Sequence, residues 1–273
     1  MLTETEFYDR LAAFFDVMTD WHSRLAAEMP FLEATLARHN AREVLDCACG
    51  TGWHAIALAQ RGYRVAASDI SAAMIARARQ NAEREGVTIP FAIARFQDLR
   101  ATFRERFDAV LCLGNSFVHV LTDDAALDSL ANMRDCLRED GVMILHNLNY
   151  DKRWKDKPRW FGVNAGILDG CETLIWRFAD YHDDAPRSMQ NGTRNTQYEP
   201  RITFNIALFT KNADGAWSAD VQSTLQRSFQ RTEFGDLLRR VGFSGIEFYG
   251  NLQGEAYDAA RSADLVVVAE QKE

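Results

Sequence analysis

Two features of residues 44–71, VLDCACGTGWHAIALAQRGYRVAASDIS, have the spacing of a cofactor-binding loop. Gly50, Gly52 and Ala55 form a G-x-G-x-x-A pattern, in which the glycines let the backbone approach a ligand closely. Asp69 follows about 20 residues later, where a carboxylate can accept hydrogen bonds from both hydroxyls of a ribose. This pattern predicts a site for a cofactor that contains a nucleoside.

Asp46 distinguishes two cofactor classes that fit such a loop. It ends an apolar segment and lies four residues before Gly50. A carboxylate there repels the pyrophosphate of a nicotinamide dinucleotide, but it attracts the ammonium group of S-adenosylmethionine directly or through water. Asp46 therefore favours S-adenosylmethionine over a nicotinamide dinucleotide as the cofactor, and it disfavours an oxidoreductase as the class of enzyme. The alternative is that Asp46 only caps a strand, in a loop without a ligand.

Cys47 and Cys49 in the same loop raise the alternative of a metal site. The two cysteines are two residues apart, and no second pair in the chain has the spacing of a zinc site. Small residues are needed where the loop leaves the strand, and cysteine meets that need. We therefore expect no bound metal.

Strand and helix patterns alternate around this loop as far as residue 148. Strands are predicted at 42–47, 63–68, 90–96, 107–113 and 142–148. Helices are predicted over the first ~40 residues, where apolar residues recur at three-to-four spacing, and at 53–61, 71–86 and 122–141. The alternation predicts an α/β fold with a Rossmann-like, mostly parallel sheet covered by helices on both faces.

The pattern changes between residues 151 and 230. Period-two apolar segments such as RITFNIALFT, separated by turn signals such as NADG, predict an antiparallel β insertion. A helix at 231–242 and strands at 245–250 and 263–271 follow, and the two strands can complete a seven-stranded sheet with one reversed strand. We predict a cofactor-binding domain at 1–150 and 231–273. The insertion at 151–230 would contact the acceptor, act as a lid or mediate oligomer contacts.

Composition limits the partners that we expect. A net charge of -8 over 273 residues disfavours nucleic acid and anionic membrane surfaces, and no apolar run approaches the roughly 20 residues of a membrane helix. The first ten residues, MLTETEFYDR, contain no apolar signal core, and five irregularly spaced cysteines suit the reducing cytosol. We expect a cytoplasmic protein and leave its oligomeric state open, a homo-oligomer included.

Four segments resemble the class I S-adenosylmethionine-dependent methyltransferases. DCACGTG at 46–52 looks like their first motif, and RFQDL at 95–99 looks like their acidic motif. DAVLCLGNSFVHV at 108–120 and HNLNYD at 146–151 are similar to glycine and sarcosine N-methyltransferases in particular. The resemblance implies methyl transfer to a small molecule, most simply an amine such as glycine or sarcosine. The alternatives are another N- or O-acceptor, or a protein that binds S-adenosylmethionine without turnover.

The resemblance also implies which residues hold the cofactor. The loop from Ala48 to Gly52 would line its amino-acid end, and Asp69 would bind its ribose. The remaining implied contacts are Arg24 to the carboxylate, Ile70 and Met74 near the adenine, Asp98 and Leu99 at the adenine edge, and Leu113 and Gly114 under the methionine portion. For Arg24 the alternative is a solvated helix face.

Three residues are implied on the acceptor side. Asn115 would contact the acceptor, Tyr8 would bring a hydroxyl near the methyl group, and His119 would touch the cofactor or act as a base. The alternatives are a turn cap for Asn115 and a satisfied core histidine for His119. A dedicated base is optional, since a neutral amine can attack the methyl group directly. The cation for an acceptor carboxylate is left open among Arg153, Arg159, Arg177 and Arg201, and Trp154, Trp160 and Trp176 could form an aromatic cage or the core of the insertion.

Overall fold

The computed structural model describes residues 1–182 and 201–271. Within these residues the strands are β1 Glu43–Asp46, β2 Arg64–Asp69, β3 Phe91–Ile93, β4 Phe107–Cys112, β5 Leu137–Leu148, β6 Trp160–Leu168, β7 Cys171–His182, β8 Arg201–Lys211, β9 Trp217–Arg227, β10 Phe243–Tyr249 and β11 Asp264–Gln271. The helices are α1 Glu4–Leu11, α2 Trp21–Arg38, α3 Trp53–Gln60, α4 Ala72–Arg84, α5 Leu99–Thr102, α6 Asp123–Asp135, α7 Tyr150–Asp156 and α8 Arg231–Arg240.

The larger sheet confirms the predicted Rossmann-like architecture. Its seven strands lie in the order β10-β11-β5-β4-β1-β2-β3. Neighbouring strands from β3 to β5 are parallel, and β11 runs antiparallel to both β5 and β10. The chain therefore has the mostly parallel sheet with one reversed strand near its end that the sequence predicted.

Helices cover both faces of this sheet because successive strand residues point to opposite sides. Leu45 and Val110 pack into one buried cluster with residues of α6 and α8. Val44 and Leu111 pack into a second cluster with residues of α2, α3 and α4. The loops that carry the predicted site leave the carboxyl ends of the same strands.

Side-chain caps fix where several helices begin. Thr3 and Glu6 form a reciprocal capping box at the start of α1. The Ser71 hydroxyl accepts from the backbone N–H of Met74 at α4, and Thr122 caps α6 in the same way. The caps of α4 and α6 place these helices directly after the loops that the sequence analysis assigned to the cofactor and the acceptor.

The predicted helix at 122–141 is wrong over its last residues. Helix α6 ends at Asp135, and Leu137 already belongs to β5, where it pairs with Phe107. Leu137 is completely buried, and Asp140 has a φ of 58°, which a helix does not contain. Pairing with the sheet overrides the helical pattern of this charged segment.

Three further elements differ from the predicted bounds. The predicted strand at 90–96 is reduced to Phe91–Ile93, and a 3-10 turn and the short helix α5 follow it. The first 40 residues form two helices, α1 and α2, separated by a 3-10 turn at Phe15–Met18. Helix α7 lies at the start of the predicted insertion, where the sequence analysis placed no helix.

The insertion forms a separate four-stranded antiparallel sheet in the order β6-β7-β8-β9. Ile175 and Ile206 on one of its faces pack against Phe7, Leu11 and Phe14 of the N-terminal segment. This contact brings α1 over the carboxyl edge of the larger sheet. Residues 183–200 of the predicted insertion, and residues 272–273, lie outside the described residues.

Helices that could cross a membrane are absent from the described part of the chain, since none is both long enough and apolar enough.

Candidate active site

A cavity of about 340 Å³ lies beside the carboxyl ends of β1, β2 and β4 and is covered by α1. Open α/β sheets bind their ligands at this edge. The cavity wall brings together ten of the sequence-predicted residues: Tyr8, Arg24, Ala48, Gly50, Asp69, Ile70, Met74, Leu113, Gly114 and His119. Glu4, Phe15, Trp21 and His54 also line it, as do Arg95, Phe96 and Gln97.

The glycine loop needs glycine at two positions. Gly50 and Gly52 have φ values of 53° and 88°, a left-handed region that other residues rarely adopt. A Cβ on Gly52 would also lie 3.0 Å from the Cβ of Ala78 in α4. Gly50 lines the cavity, whereas Gly52 permits close packing of the loop on α4.

Asp69 is held in place by main-chain donors on both sides. Its Oδ2 accepts from the N–H of Gly50 at 2.9 Å, and its Oδ1 accepts from the N–H of Ser71 at 3.0 Å. Burial raises the pKa of Asp69, and these backbone N–H groups oppose that shift. Each carboxylate oxygen has a second lone pair. The group can therefore bind the two hydroxyls of a ribose without moving.

Asp46 lies beneath the loop and is almost fully buried, with an exposed fraction of 1%. Its Oδ1 has no hydrogen-bond partner among the described residues. Burial and the nearby charge of Asp69 raise the pKa of Asp46 to about 7. The backbone N–H of Ala48 opposes this shift, but a buried carboxylate oxygen without a partner is costly unless a cation or donor joins it. Asp46 is not among the described residues that line the cavity, so its pairing with the ammonium group of S-adenosylmethionine stays a prediction, which the orphaned oxygen supports.

Arg24 is fixed at the cavity wall by a chain of polar contacts. Its Nε donates to Oε1 of Glu28 at 2.9 Å, and Oε2 of Glu28 lies 2.6 Å from Nε2 of His54. Burial opposes ionisation of Glu28, but the hydrogen bond with His54 and the charge of Arg24 lower its pKa to about 2. The guanidinium also lies 5.0 Å over the ring of Trp21. A fixed cation of this kind suits a carboxylate ligand.

Tyr8 and His119, which both line the cavity, form a neutral pair. The Tyr8 hydroxyl lies 2.9 Å from Nε2 of His119, whose Nδ1 lies 3.2 Å from the carbonyl oxygen of Leu225. A carbonyl only accepts, so Nδ1 carries the proton, and Nε2 accepts from Tyr8. Burial lowers the pKa of His119 to about 4 and raises the pKa of Tyr8 well above its usual value. This geometry argues against His119 as a general base.

Asn115 ties the end of β4 to the end of β5. Its side-chain amide donates to the hydroxyl of Tyr150 at 3.2 Å, and its Oδ1 accepts from the N–H of Leu148 at 3.0 Å. Its backbone has a φ of 66°. Asn115 is not among the described residues that line the cavity. Its contact with the acceptor stays a prediction, and the turn role is the one supported by these distances.

The acidic motif reaches the cavity with its first three residues. Arg95, Phe96 and Gln97 line the wall, whereas Asp98 is exposed and Leu99 is fully buried in the core. The 3-10 turn at Phe96–Asp98 leads into α5, which begins at Leu99. The adenine contacts assigned to Asp98 and Leu99 therefore stay predictions.

Glu4 is a cavity residue that the sequence analysis missed. Burial and the charge of Asp69 raise its pKa to about 7, and Arg95 opposes that shift. Glu4 and Tyr8 are four residues apart on α1, so they share one helix face. The capping box at Thr3 and Glu6 could have located α1, and this spacing could then have paired Glu4 with Tyr8.

The N-terminal segment is fastened across the cavity by two aspartates; we call residues 4–18 the N-terminal strap. Asp9 accepts from the Ser71 hydroxyl at 2.6 Å. Oδ1 of Asp16 accepts from the hydroxyl of Thr51 at 2.6 Å and from the indoles of Trp21 and Trp53 at 3.0 and 3.1 Å. The strap is thus tied to both the glycine loop and the loop after β2.

The candidate arginines and tryptophans of the insertion do not line this cavity as the structure describes it. Arg159 pairs with Asp180, and Arg177 donates to Asn164. Trp160 and Trp176 stack at 5.0 Å on the insertion sheet. No group of three His, Cys, Asp or Glu residues within 1–182 and 201–271 could hold a metal ion.

Comparisons with known proteins identify the family. A family profile described as a methyltransferase domain matches residues 44–141. The glycine/sarcosine N-methyltransferase of Aphanothece halophytica is 36% identical over 256 residues, which are 92% of this chain and 84% of that protein. The enzyme of the same description from Halorhodospira halochloris is 28% identical over 93% of this chain and 85% of its own length.

A solved structure supports the same fold. An S-adenosylmethionine-dependent methyltransferase from Clostridium acetobutylicum ATCC 824 superposes with a TM-score of 0.74, covers 98% of both chains and is 15% identical. The chain is thus an S-adenosylmethionine-dependent methyltransferase, and it belongs to the family that includes the glycine/sarcosine N-methyltransferases.

Proposed function

We propose that this methyltransferase methylates the nitrogen of glycine, sarcosine or a closely related small amine. The observation that carries the proposal is the similarity to glycine/sarcosine N-methyltransferases over nearly the whole chain. It includes the insertion, which we propose as the part that selects the acceptor, and residues 1–150 and 231–273, which we propose as the cofactor-binding domain. A different small amine is the main competing acceptor.

Residues that line the cavity, together with Asp46 beneath the glycine loop, would suit the ribose and the amino-acid end of S-adenosylmethionine. Asp69 would bind the ribose, Asp46 would pair with the ammonium group, and Arg24 would pair with the carboxylate. The buried carboxylates and the fixed guanidinium are then all matched by opposite charges or donors, which a buried site requires. When bound, the cofactor supplies an electrophilic methyl group on a sulfonium.

The chain's own contribution to the reaction is mainly orientation and exclusion of water. The N-terminal strap covers the cavity, and Tyr8 is held in one orientation by His119. Holding an amine in line with the methyl group can supply much of the rate. Because the pKa of His119 is about 4 and its Nε2 already accepts from Tyr8, the amine would arrive neutral or release its proton to water.

The test is transfer of a tritiated methyl group from S-adenosylmethionine to a panel of acceptors. The panel contains glycine, sarcosine, dimethylglycine, other small amines, hydroxy acids and phenols. We expect label in sarcosine when glycine is supplied and in dimethylglycine when sarcosine is supplied. If the label appears only in the product of another compound, the proposal that glycine or sarcosine is the acceptor is wrong. Cofactor binding without transfer to any member of the panel would instead favour a binding protein.

A further inference from the structure

His146 is a buried polar side chain beside the candidate site, and no contact with the cofactor or the acceptor is assigned to it. It lies on β5, a central strand of the larger sheet, and its exposed fraction is 7%. Strands that are covered on both faces are mostly apolar, as Ile144 and Leu145 of β5 are. A buried imidazole at this position therefore needs a physical reason.

The ring of His146 makes one hydrogen bond within the described residues. The backbone N–H of Gly114 donates to its Nδ1, with 3.4 Å between the two nitrogens. A backbone N–H only donates, so Nδ1 accepts with its lone pair and a ring proton is on Nε2. Nε2 has no hydrogen-bond partner among the described residues, although Oδ1 of Asp264 lies 3.5 Å away. The contact with Gly114 is therefore the hydrogen bond that this side chain contributes.

The main chain of His146 holds the next residue of the same turn. Its carbonyl oxygen accepts from the N–H of Asn115 at 2.9 Å. The side chain of Asn115 ties the turn to the end of β5 as well, since its Oδ1 accepts from the N–H of Leu148 at 3.0 Å. Two successive N–H groups, those of Gly114 and Asn115, thus point at His146.

The turn at Gly114 and Asn115 has a strained backbone. The two residues have φ values of 77° and 66°, so both are in the left-handed region. A Cβ on Gly114 would come no closer than 4.0 Å to the hydroxyl oxygen of Ser116, so the φ value and not the available space requires glycine there. Glycine also lets the adjoining peptide units rotate unless hydrogen bonds prevent it.

The hydrogen bonds to His146 set the direction of two carbonyl groups. Peptide bonds in the described residues are trans, and in a trans peptide the C=O and the N–H point in opposite directions. Because the N–H groups of Gly114 and Asn115 point at β5, the carbonyl groups of Leu113 and Gly114 point away from it. Leu113 and Gly114 both line the cavity. His146 therefore determines which polar atoms this part of the cavity wall presents.

We propose that His146 is a positioning residue, which holds the turn at Gly114 and Asn115 in the shape that binds the amino-acid end of S-adenosylmethionine. The inference rests on the proposed placement of that end beside Leu113 and Gly114, and it is independent of which amine accepts the methyl group. His146 itself does not contact the cofactor. Without its Nδ1, the peptide before Gly114 can rotate, and only the molecules with the correct turn bind the ligand.

The test compares the affinities of two ligands by calorimetry. S-adenosylhomocysteine has the amino-acid end, whereas 5′-methylthioadenosine has the nucleoside and the sulfur without it. His146→Leu should weaken S-adenosylhomocysteine about fivefold, the equivalent of one hydrogen bond, and leave 5′-methylthioadenosine within about twofold. His146→Asn should restore the affinity for S-adenosylhomocysteine, because its Oδ1 can replace Nδ1 as the acceptor. His146→Gln is the matched control, since its amide lies one bond further out, and it should behave like His146→Leu.

Arg24→Ala separates a failure of this inference from a failure of the proposed cofactor placement. It should lower the ratio of the two affinities, because Arg24 is proposed to bind the carboxylate of the amino-acid end. If Arg24→Ala lowers this ratio but His146→Leu and His146→Gln do not, His146 does not position the turn. If none of the three variants lowers it, the placement of the amino-acid end is wrong as well.

Two further results would overturn the positioning role. One is an equal loss of affinity for both ligands in His146→Leu and His146→Gln, which a general structural defect would produce. The other is a His146→Asn variant that binds S-adenosylhomocysteine as weakly as His146→Gln does. If His146→Leu shows no cooperative thermal transition, the comparison of His146→Asn with His146→Gln decides the question.

Discussion

Asp46 and Asp69 are two similar carboxylates with different surroundings, which suit the different roles that we propose for them. Asp69 already accepts two backbone hydrogen bonds, whereas Oδ1 of Asp46 has no partner among the described residues. The sequence predicted a role for both, because each has a characteristic spacing from the glycine loop. It predicted none for Glu4, because no local spacing links it to that loop, and only the packing of α1 brings it there.

The first prediction concerns ribose binding. Asp69→Ala should weaken the binding of S-adenosylmethionine by about a hundredfold or more, because it removes two hydrogen bonds to a charged group. Isothermal titration calorimetry measures the affinity. Asp128→Ala, at an exposed site on α6, is the control and should bind normally. Near-normal affinity of the Asp69 variant would show that the ribose binds elsewhere.

The second prediction concerns protons released on cofactor binding. The pKa of Asp46 is about 7 in the free protein, so this carboxyl is largely protonated at about pH 6.5. An adjacent ammonium lowers that pKa, so binding should release protons, and affinity should rise with pH up to about 7. Calorimetry in two buffers with different ionisation enthalpies measures the release. Asp46→Asn should abolish it, and an equal release in that variant would exclude Asp46 as the source.

The third prediction concerns the neutral pair of Tyr8 and His119. Tyr8→Phe should lower kcat by about tenfold, the equivalent of one hydrogen bond, and leave cofactor affinity within about twofold. In the unaltered enzyme, kcat between pH 6 and 9 should show no titration of His119, because its pKa is about 4. A rate that follows a group with a pKa near 6.5 and disappears in His119→Asn would restore His119 as the base.

At the scale of elements, the N-terminal strap is the part of the site that sequence patterns described least well. The sequence placed helix in the first 40 residues and named Tyr8 and Arg24. It did not predict that α1 and α2 are separate, or that Asp16 joins them to the glycine loop. Asp16 and its partners Thr51 and Trp53 are far apart in the chain, and no periodicity relates them.

The strap gives the fourth prediction. Asp16→Ala removes the hydrogen bonds that tie the strap to Thr51 of the glycine loop, to Trp53 at the start of α3 and to Trp21 at the start of α2, so S-adenosylmethionine should dissociate about tenfold faster. Stopped-flow displacement measures this rate. Asp20→Ala is the matched control, because Asp20 is exposed and only caps α2. Similar dissociation rates in both variants would mean that the strap does not retain the cofactor.

Strand and helix bounds in the larger domain were predictable where local and tertiary preferences agree. Ser71 and Thr122 mark helix starts in the sequence and cap α4 and α6 in the structure. Leu137 is the opposite case, since its segment has a helical pattern but its side chain is buried in the sheet beside Phe107. The pairing partner lies 30 residues away, so the segment alone does not reveal it.

At the scale of the whole molecule, the larger sheet borders the cavity and the insertion sheet packs on the strap that covers it. The alternation of strands and helices predicted the first sheet, and period-two segments predicted the second. The position of the second sheet relative to the first was not predictable from the sequence, because it depends on which face of the insertion sheet packs on α1. For the same reason, the sequence could not show which arginine would bind an acceptor carboxylate. The candidates are Arg153, Arg159, Arg177 and Arg201.

The most direct measurement is a crystal structure of the enzyme with S-adenosylhomocysteine and sarcosine. We expect the ribose hydroxyls within hydrogen-bond distance of Asp69, the amino group beside Asp46 and the carboxylate at Arg24. The nitrogen of sarcosine should then lie between the sulfur and the Tyr8 hydroxyl. A nucleoside bound away from Asp69, or a sulfur that points away from Tyr8, would contradict the cavity under the N-terminal strap as the site of methyl transfer.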